Sequence, residues 1–376
     1  MNCIAPISRP SRGEGNASVR IAIDSRELMG RPTGVGRYLS QLLSAWGTLA
    51  AANAHEFVLC APEPPDRVAH EGLRVSTMVA RGSGTLWEQI VLPTLVTSAR
   101  ADVLFSPGYT CPLLCRTPTV LTIHDVSFAA HPEWFSWREG LRRRTITRLS
   151  ARRARRVITD SDFSKLEISK YFGIGSSRID VIYLGASSLP MTTGPVARSP
   201  LVLFVGSLFD RRHIPELLEG FRRLAARMPD ARLEIVGDNR TNPRVEIDKL
   251  IAATGMSSRA HWRSYISDAD LASLYASASA FAFLSDYEGF GLTPLEAIAA
   301  GVPIVVLDTA IAREIYGPAA VYLERPDPDL IASALERVLG RADERTRLIE
   351  AGRLQLERYS WRECAQRTLQ VILSTR

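Results

Sequence analysis

Residues 186–221 read ASSLPMTTGPVARSPLVLFVGSLFDRRHIPELLEGF. The first part, 186–199, is Ser, Thr, Pro and Gly with small residues, a composition that interrupts regular structure and reads as a linker. At Leu201 the apolar run LVLFVG begins, and helical spacing starts near Ile214. A short, unbroken apolar run next to a helix is a strand buried on both faces, as parallel sheets require. Strand–helix alternation therefore restarts behind a linker, which predicts two α/β units.

Working outward from this stretch, the same alternation fills both sides. Downstream strands are expected at 232–237 (RLEIVG), 280–285 (AFAFLS) and 303–308 (PIVVLD). Helices are expected from Ile214, up to about Thr254, and from Pro294, with three more filling 327–373. Upstream, strands are expected at 20–24 (RIAID), 56–61, 102–106, 119–123, 156–160 and 178–183 (RIDVIY). A helix over 34–50 places Leu39, Leu42, Leu43, Trp46 and Leu49 on one face. A second helix, 161–172, has Ser161 as its N-cap. The expected fold is two doubly wound, Rossmann-like α/β domains whose strand ends face each other across a cleft, where ligands bind in sheets of this kind. The expected organisation is a flexible tail at 1–18, an N-terminal domain at 19–190, a C-terminal domain at 191–358, and a last segment at 359–376.

Composition limits what the chain can be. Of 376 residues, 46% are hydrophobic and 23% charged, which excludes wholesale disorder. Cys3, Cys60, Cys111, Cys115 and Cys364 are odd in number and scattered, so a disulfide framework is not expected and a reducing, cytoplasmic setting is. No stretch reads as a membrane-spanning helix, and the start of the chain lacks the apolar core of a signal peptide. The net charge is +6, and only Lys165, Lys170 and Lys249 are lysines among 46 basic residues. Nine arginines lie between Arg138 and Arg156. They form either a solvated helix face or a patch for anionic lipid or phosphate groups, where each Arg adds about 1 kcal/mol. No nucleic-acid motif or interleaved aromatic platform accompanies them, so nucleic acid is not an expected partner.

Four motifs can carry chemistry. The first is DYEGFGLTPLE, from Asp286 to Glu296, between a strand and a helix. Gly289 and Gly291 let backbone approach a ligand, Thr293 is the expected N-cap with Pro294 in the first turn, and the helix start is an anion site. Glu288 suits a hydroxyl-binding carboxylate. Glu296 is open between that role and a capping box with Thr293. The second motif runs from Gly206 to His213, where Arg211 and Arg212 follow a buried strand and can clamp a diphosphate. In the third, Thr33 to Tyr38, Gly34 and Gly36 form either a phosphate loop or a tight turn. In the fourth, Thr122 to Asp125, His124 ends a strand facing the cleft. Cys111 and Cys115 lack zinc-spaced partners, Asp268 and Asp270 sit where a helix cap is expected, and no Ser-His-Asp elbow is found.

Together these motifs resemble glycosyltransferase family 4, the retaining GT-B enzymes, over nearly the whole chain from Arg20. DSRELMGRPTGVGRYL, TIHDVSFAAHPEWFS, VITDSDFSKLEI and VGSLFDRRHIPELLEGF are similar to bacterial mannosyltransferases of polysaccharide synthesis. The resemblance implies that 19–190 takes the acceptor, that 191–358 takes the donor, and that the helix after Tyr359 and Trp361 crosses back to the first domain. It implies donor sugar hydroxyls on Glu288, ribose on Glu296, and diphosphate on Arg211 and Arg212. Gly206, Gly289, Phe290, Gly291, Leu292 and Thr293 then line the donor, with Gly34 and Gly36 near the diphosphate and His124 near the reacting sugar. Arg212 stands for the family's Lys and His213 for its Asn, so charge is kept and shape is not.

The implied reaction moves a hexose, with GDP-mannose favoured and a UDP-sugar the alternative, to a glycan or lipid-linked glycan. The expected place is the inner membrane face, with peripheral contact through Arg138 to Arg156. Two arginines and a helix N-terminus can stand in for a divalent metal, so neither metal nor other cofactor is expected. Attack on the same face, with the diphosphate taking the acceptor's proton, fits retention without a carboxylate nucleophile. DYEGFGLTPLE argues against a 2-epimerase, Lys249 alone argues against a pyridoxal phosphorylase, and the intact residue set argues against a silent GT-B scaffold subunit.

Overall fold

The computed structural model describes residues 18–30, 34–65, 72–186 and 200–376. The expected tail, except Ser18, and the expected linker, except Ala186, lie outside the described residues, as does Thr33.

Two parallel sheets carry the fold. The first has seven strands in the order β3-β2-β1-β4-β5-β6-β7. These are β1 Arg20–Asp24, β2 Glu56–Ala61, β3 Arg74–Val79, β4 Val103–Ser106, β5 Thr119–Thr122, β6 Arg156–Thr159 and β7 Ile179–Val181. The second has six strands in the order β10-β9-β8-β11-β12-β13. They are β8 Leu201–Val205, β9 Arg232–Val236, β10 Ala260–Arg263, β11 Ala280–Phe283, β12 Ile304–Leu307 and β13 Ala320–Leu323. The central strands are buried at every position, as in β4, β8, β11 and β12. Their apolar runs are thus explained by helices covering both sheet faces. In each sheet the winding reverses beside the first strand, between β1 and β4 and between β8 and β11. Loops diverge there and leave a crevice at the strands' carboxyl ends.

Three strands escape the sequence reading. β3 and β10 are edge strands with mostly exposed, polar positions, so neither shows an apolar run. β13, AVYL, is apolar and lies at the other edge of its sheet.

The first long helix is shorter than expected, Gly34–Gly47, with a separate turn at Ala50–Asn53. Leu39, Leu42, Leu43 and Trp46 are buried, as the periodicity requires. The last helix, Trp361–Ser374, lies against it, and Trp46 Nε1 donates to the Ala365 carbonyl at 2.8 Å. Arg367 donates to the Val181 carbonyl at 2.9 Å, which ties the same helix to β7. Among the described residues, no helix is long and apolar enough to cross a membrane.

Candidate active site

The second domain builds its half of the site from two loops at neighbouring strand ends. After β8, Gly206 adopts φ +146, and a Cβ there would stand 2.6 Å from an Arg212 guanidinium nitrogen. The absence of a side chain lets Arg212 fold back under the strand end. Arg212 is buried and donates through Nε and Nη2 to Glu288 Oε1 at 2.9 and 2.7 Å, and through Nη1 to the Ser207 carbonyl at 2.7 Å. Ser285 Oγ adds a third donor to the same carboxylate oxygen, at 2.8 Å. Glu288 is therefore fixed through Oε1, while Oε2 has no hydrogen bond among the described residues. A narrow recess beside it is lined by Phe283, Ser285, Glu288, Phe290, Thr309 and Tyr316. Burial holds the Arg212 guanidinium below its ordinary pKa, an effect opposed mainly by the Glu288 charge.

Arg211 is placed differently. Its guanidinium lies over Phe209 at 4.3 Å and over Trp134 of the first domain at 5.4 Å, and Nε donates to the Tyr287 carbonyl at 3.1 Å. The flat group is held by its faces and one edge. His213 follows in the left-handed region, φ +51, and caps the helix Ile214–Arg227 by its backbone conformation. Its ring meets Asp286 Oδ2 at 2.7 Å. Burial draws the His213 pKa down, but the hydrogen bonds to Asp286 and Glu216 outweigh it and hold it at about 9.

The helix after Glu288 does not start where local pattern predicts. It spans Leu292–Ala299 and its N-cap is Gly291, at φ +91, so Thr293 is the second helical residue and Pro294 the third. Tyr316 decides this: its hydroxyl donates to the Gly291 carbonyl at 3.1 Å, and a Cβ on Gly291 would stand 2.0 Å from that hydroxyl. The capping box is likewise absent. Glu296 Oε2 accepts from Tyr275 Oη at 2.9 Å, and its Oε1 is 3.9 Å from Arg37 of the first domain. Burial pushes the Glu296 carboxyl up, with Arg37 and Tyr275 opposing. Phe290 packs its ring edge-on against Tyr359 at 5.5 Å and leaves its backbone to the loop. Asp268 and Asp270 fall in the first turn of the helix Asp268–Ser277, whose N-cap is Ser267.

The first domain meets this half closely. Gly289 touches the His124 carbonyl so tightly that a Cβ would stand 2.1 Å from its oxygen. Ser161 Oγ donates to the Gly289 carbonyl at 2.7 Å, and Ser164 Oγ reaches it at 3.2 Å. The His124 ring, expected to face the cleft, is turned inward. Its Nδ1 is 2.7 Å from Asp160 Oδ2 and its Nε2 is 2.9 Å from the Pro107 carbonyl. Gly34 opens the first helix, where a Cβ would meet nothing within 4 Å, and Gly36 is buried in the same turn. Arg37 carries that helix end to Glu296. The structure thus brings His124, Arg37, Arg211, Arg212, Glu288, Gly289 and Glu296 to one seam, with Gly34 at the start of the helix that carries Arg37.

A model for glycosyl transferases group 1 matches residues 192–355, and a model for glycosyltransferase family 4 matches residues 32–187. The chain belongs to glycosyltransferase family 4. It is 28% identical to the O-antigen chain mannosyltransferase B of Escherichia coli, over 66% of this chain and 68% of that one. It is 30% identical to an MMP alpha-(1->4)-mannosyltransferase of Mycolicibacterium hassiacum, over 68% of this chain and 64% of the relative. Sucrose-phosphate synthase from Thermosynechococcus elongatus superposes with a TM-score of 0.75 at 19% identity, covering 95% of this chain and 98% of that one. WaaG, a glycosyltransferase involved in lipopolysaccharide biosynthesis, does so with 0.72 at 17% identity, covering 94% and 99%. These likenesses show the GT-B fold.

Several residues of this transferase's site have no local signature. Trp134 stacks on His131 at 4.0 Å and covers Arg211. Tyr275 holds Glu296, Ser285 holds Glu288, and Asp160 holds His124. Most of these act on a partner distant in sequence or across the seam. Among the described residues, no group of three His, Cys, Asp or Glu side chains could hold a metal ion.

Proposed function

We propose that this transferase moves a hexose, mannose from GDP-mannose in the first instance, onto a glycan acceptor of bacterial surface polysaccharide synthesis. Relatives named as O-antigen mannosyltransferases support the sugar and the pathway class. The observation that carries the reading is the Glu288 carboxylate, anchored through Oε1 by Arg212 and Ser285 and unengaged at Oε2, on a loop that leads into a helix N-terminus with Arg211 beside it. A sugar hydroxyl can donate to Oε2, while the helix N–H groups and the Arg211 fork suit the diphosphate.

In this reading the C1–O bond to the diphosphate breaks, the bond from C1 to the acceptor oxygen forms on the same face, and the acceptor's proton passes to the departing diphosphate oxygen. Fixed positive groups there stabilise the developing charge, at about 3 kcal/mol for one well-placed donor. The acceptor is a lipid-linked glycan presented at an anionic membrane by the first domain. The reaction needs no metal in this scheme, because Arg211 and the helix end supply the positive field, while Arg212 is spent on Glu288 and the Ser207 carbonyl.

Purified protein tested against GDP- and UDP-sugars gives the donor. Glu288→Gln keeps size and, with its oxygen at the Oε1 position, the Ser285 contact, but puts an NH2 donor where Oε2 accepts. Transfer is expected to fall at least a hundredfold, and the unfolding temperature is expected to fall with it, because buried Arg212 loses its compensating charge. Wild-type rates in that variant would reject the site.

A further inference from the structure

Both ring nitrogens of His124 are taken up inside the first domain. Nε2 lies 2.9 Å from the Pro107 carbonyl, and a carbonyl only accepts, so Nε2 carries hydrogen. Nδ1 lies 2.7 Å from Asp160 Oδ2, two atoms that would repel without a proton between them. The dyad therefore holds two protons. Asp160 is buried, His124 is its one side-chain donor among the described residues, and its Oδ1 has no partner. The hydroxyls of Tyr38, Thr122 and Thr368 gather at the same place and make no hydrogen bond to it. A buried carboxylate with a single donor depends on that donor's charge, and the imidazolium depends on the carboxylate in return.

We infer that Asp160 is a positioning residue of the transfer reaction: it keeps His124 a hydrogen-bond donor at both ring nitrogens, so the ring is a fixed positive group at the seam and takes no proton from the acceptor. This rests on the reading of the seam as the reacting centre, and it leaves the diphosphate as the proton's destination. Burial would lower the His124 pKa. The charge and hydrogen bond of Asp160, the Pro107 carbonyl and the Asp125 charge outweigh it and hold it above 6.5. The groups facing the ring are Asp160 beyond β6, Asp125 in its own loop, Tyr38 of the first long helix at 5.0 Å and Tyr109 beyond β4 at 5.7 Å. The second domain offers the Gly289 backbone, and Cys364 of the last helix faces Asp160. The His124 carbonyl abuts Gly289 and accepts from Ser164 Oγ at 3.2 Å, so the residue that carries the ring also meets the donor loop.

The test is nitrogen-15 NMR of the imidazole rings, read without any substrate. His124 is assigned by the signal lost in His124→Gln, among six histidines. In the wild type, both His124 nitrogens are expected to be protonated at pH 7, with charge lost only as pH rises above the ordinary histidine range. In Asp160→Asn, which keeps shape and an acceptor, the midpoint is expected to fall below about 6.5. The kcat of that variant should then fall tenfold or more as pH rises through the new midpoint, while donor KM stays within about threefold. A neutral wild-type His124 at pH 7, or an unmoved midpoint in Asp160→Asn, overturns the dyad. A moved midpoint with wild-type kcat at every pH overturns the role in transfer. Failure of the transferase reading itself shows separately, as absent donor turnover in wild-type protein.

Discussion

Arg211 and Arg212 are adjacent in sequence and do different work. Arg212 is buried and shares its fork between Glu288 and the Ser207 carbonyl, whereas Arg211 lies between two aromatic rings with most of its fork unspent. Removing one partner of a buried ion pair leaves the other charge without compensation, a loss of about 3–5 kcal/mol. Arg212→Met should therefore lower the denaturant midpoint strongly and weaken nucleoside-diphosphate binding as a consequence. Arg211→Met should change unfolding by no more than about 1 kcal/mol, the scale of its ring contacts, yet weaken diphosphate binding measured by calorimetry at least tenfold. Equal effects of the two variants on stability would contradict this division. The sequence shows both arginines at a strand end but not which one is buried, because that depends on Gly206 making room and on Glu288, far along the chain. Glu296 is open in sequence between a cap and a ligand group for a similar reason: Tyr275 and Arg37, which engage it, come from another helix and another domain.

At the scale of elements, legibility depends on whether burial or a tertiary contact sets the boundary. Strands covered on both faces announce themselves, and Ser161 caps Asp162–Phe172 through its own hydroxyl, which accepts from the Ser164 amide at 3.1 Å. The Thr293 pattern misleads because Tyr316 imposes an earlier start at Gly291. The arginine-rich segment is the helix Trp137–Arg153, which buries Gly140, Thr147, Ser150 and Ala151 and turns most of its arginines outward. Trp137 is 71% exposed, and Leu141 is exposed with it. Arg142 reaches Thr85 at 3.5 Å, and Gln89 holds the loop that carries Leu114, so exposed Leu86, Ile90 and Leu114 adjoin the same face. Apolar tips among arginines suit the headgroup region of an anionic leaflet. Vesicles containing phosphatidylglycerol should sediment the protein, and vesicles of phosphatidylcholine alone should not. Changing Arg142, Arg148 and Arg152 together to Gln should weaken sedimentation at least tenfold, with added salt doing the same to wild type. Equal retention on neutral vesicles would remove the lipid contact from the proposed function.

For the whole molecule, the decisive contacts are those between the domains. Glu314, on the short helix Ala310–Tyr316 of the second domain, accepts from the Asp162 and Phe163 amides at 2.8 and 2.9 Å. A carboxylate of one domain thus caps a helix of the other, satisfying two N–H groups at the positive end of its dipole. Ser161, at the same helix start, holds the Gly289 carbonyl, so closure and the donor loop are joined through one element. Tyr287 adds aromatic contacts to His131, Trp134 and Phe163, the last at 5.3 Å. Losing the Glu314 cap removes about 1–2 kcal/mol of closure, by analogy with N-caps inside single helices. That is roughly a tenfold shift toward an open cleft. Glu314→Ala, which touches neither Glu288 nor Arg211, should raise the radius of gyration seen by small-angle scattering and slow transfer, because Trp134 then leaves Arg211 and Gly289 leaves His124. A nucleoside diphosphate at saturating concentration should restore part of the compact form if, as the proposed function has it, the donor site lies at the seam. An unchanged scattering profile in Glu314→Ala would mean that the remaining contacts, the aromatic ones of Tyr287 and the Ser161 bond to Gly289, hold the domains without the cap.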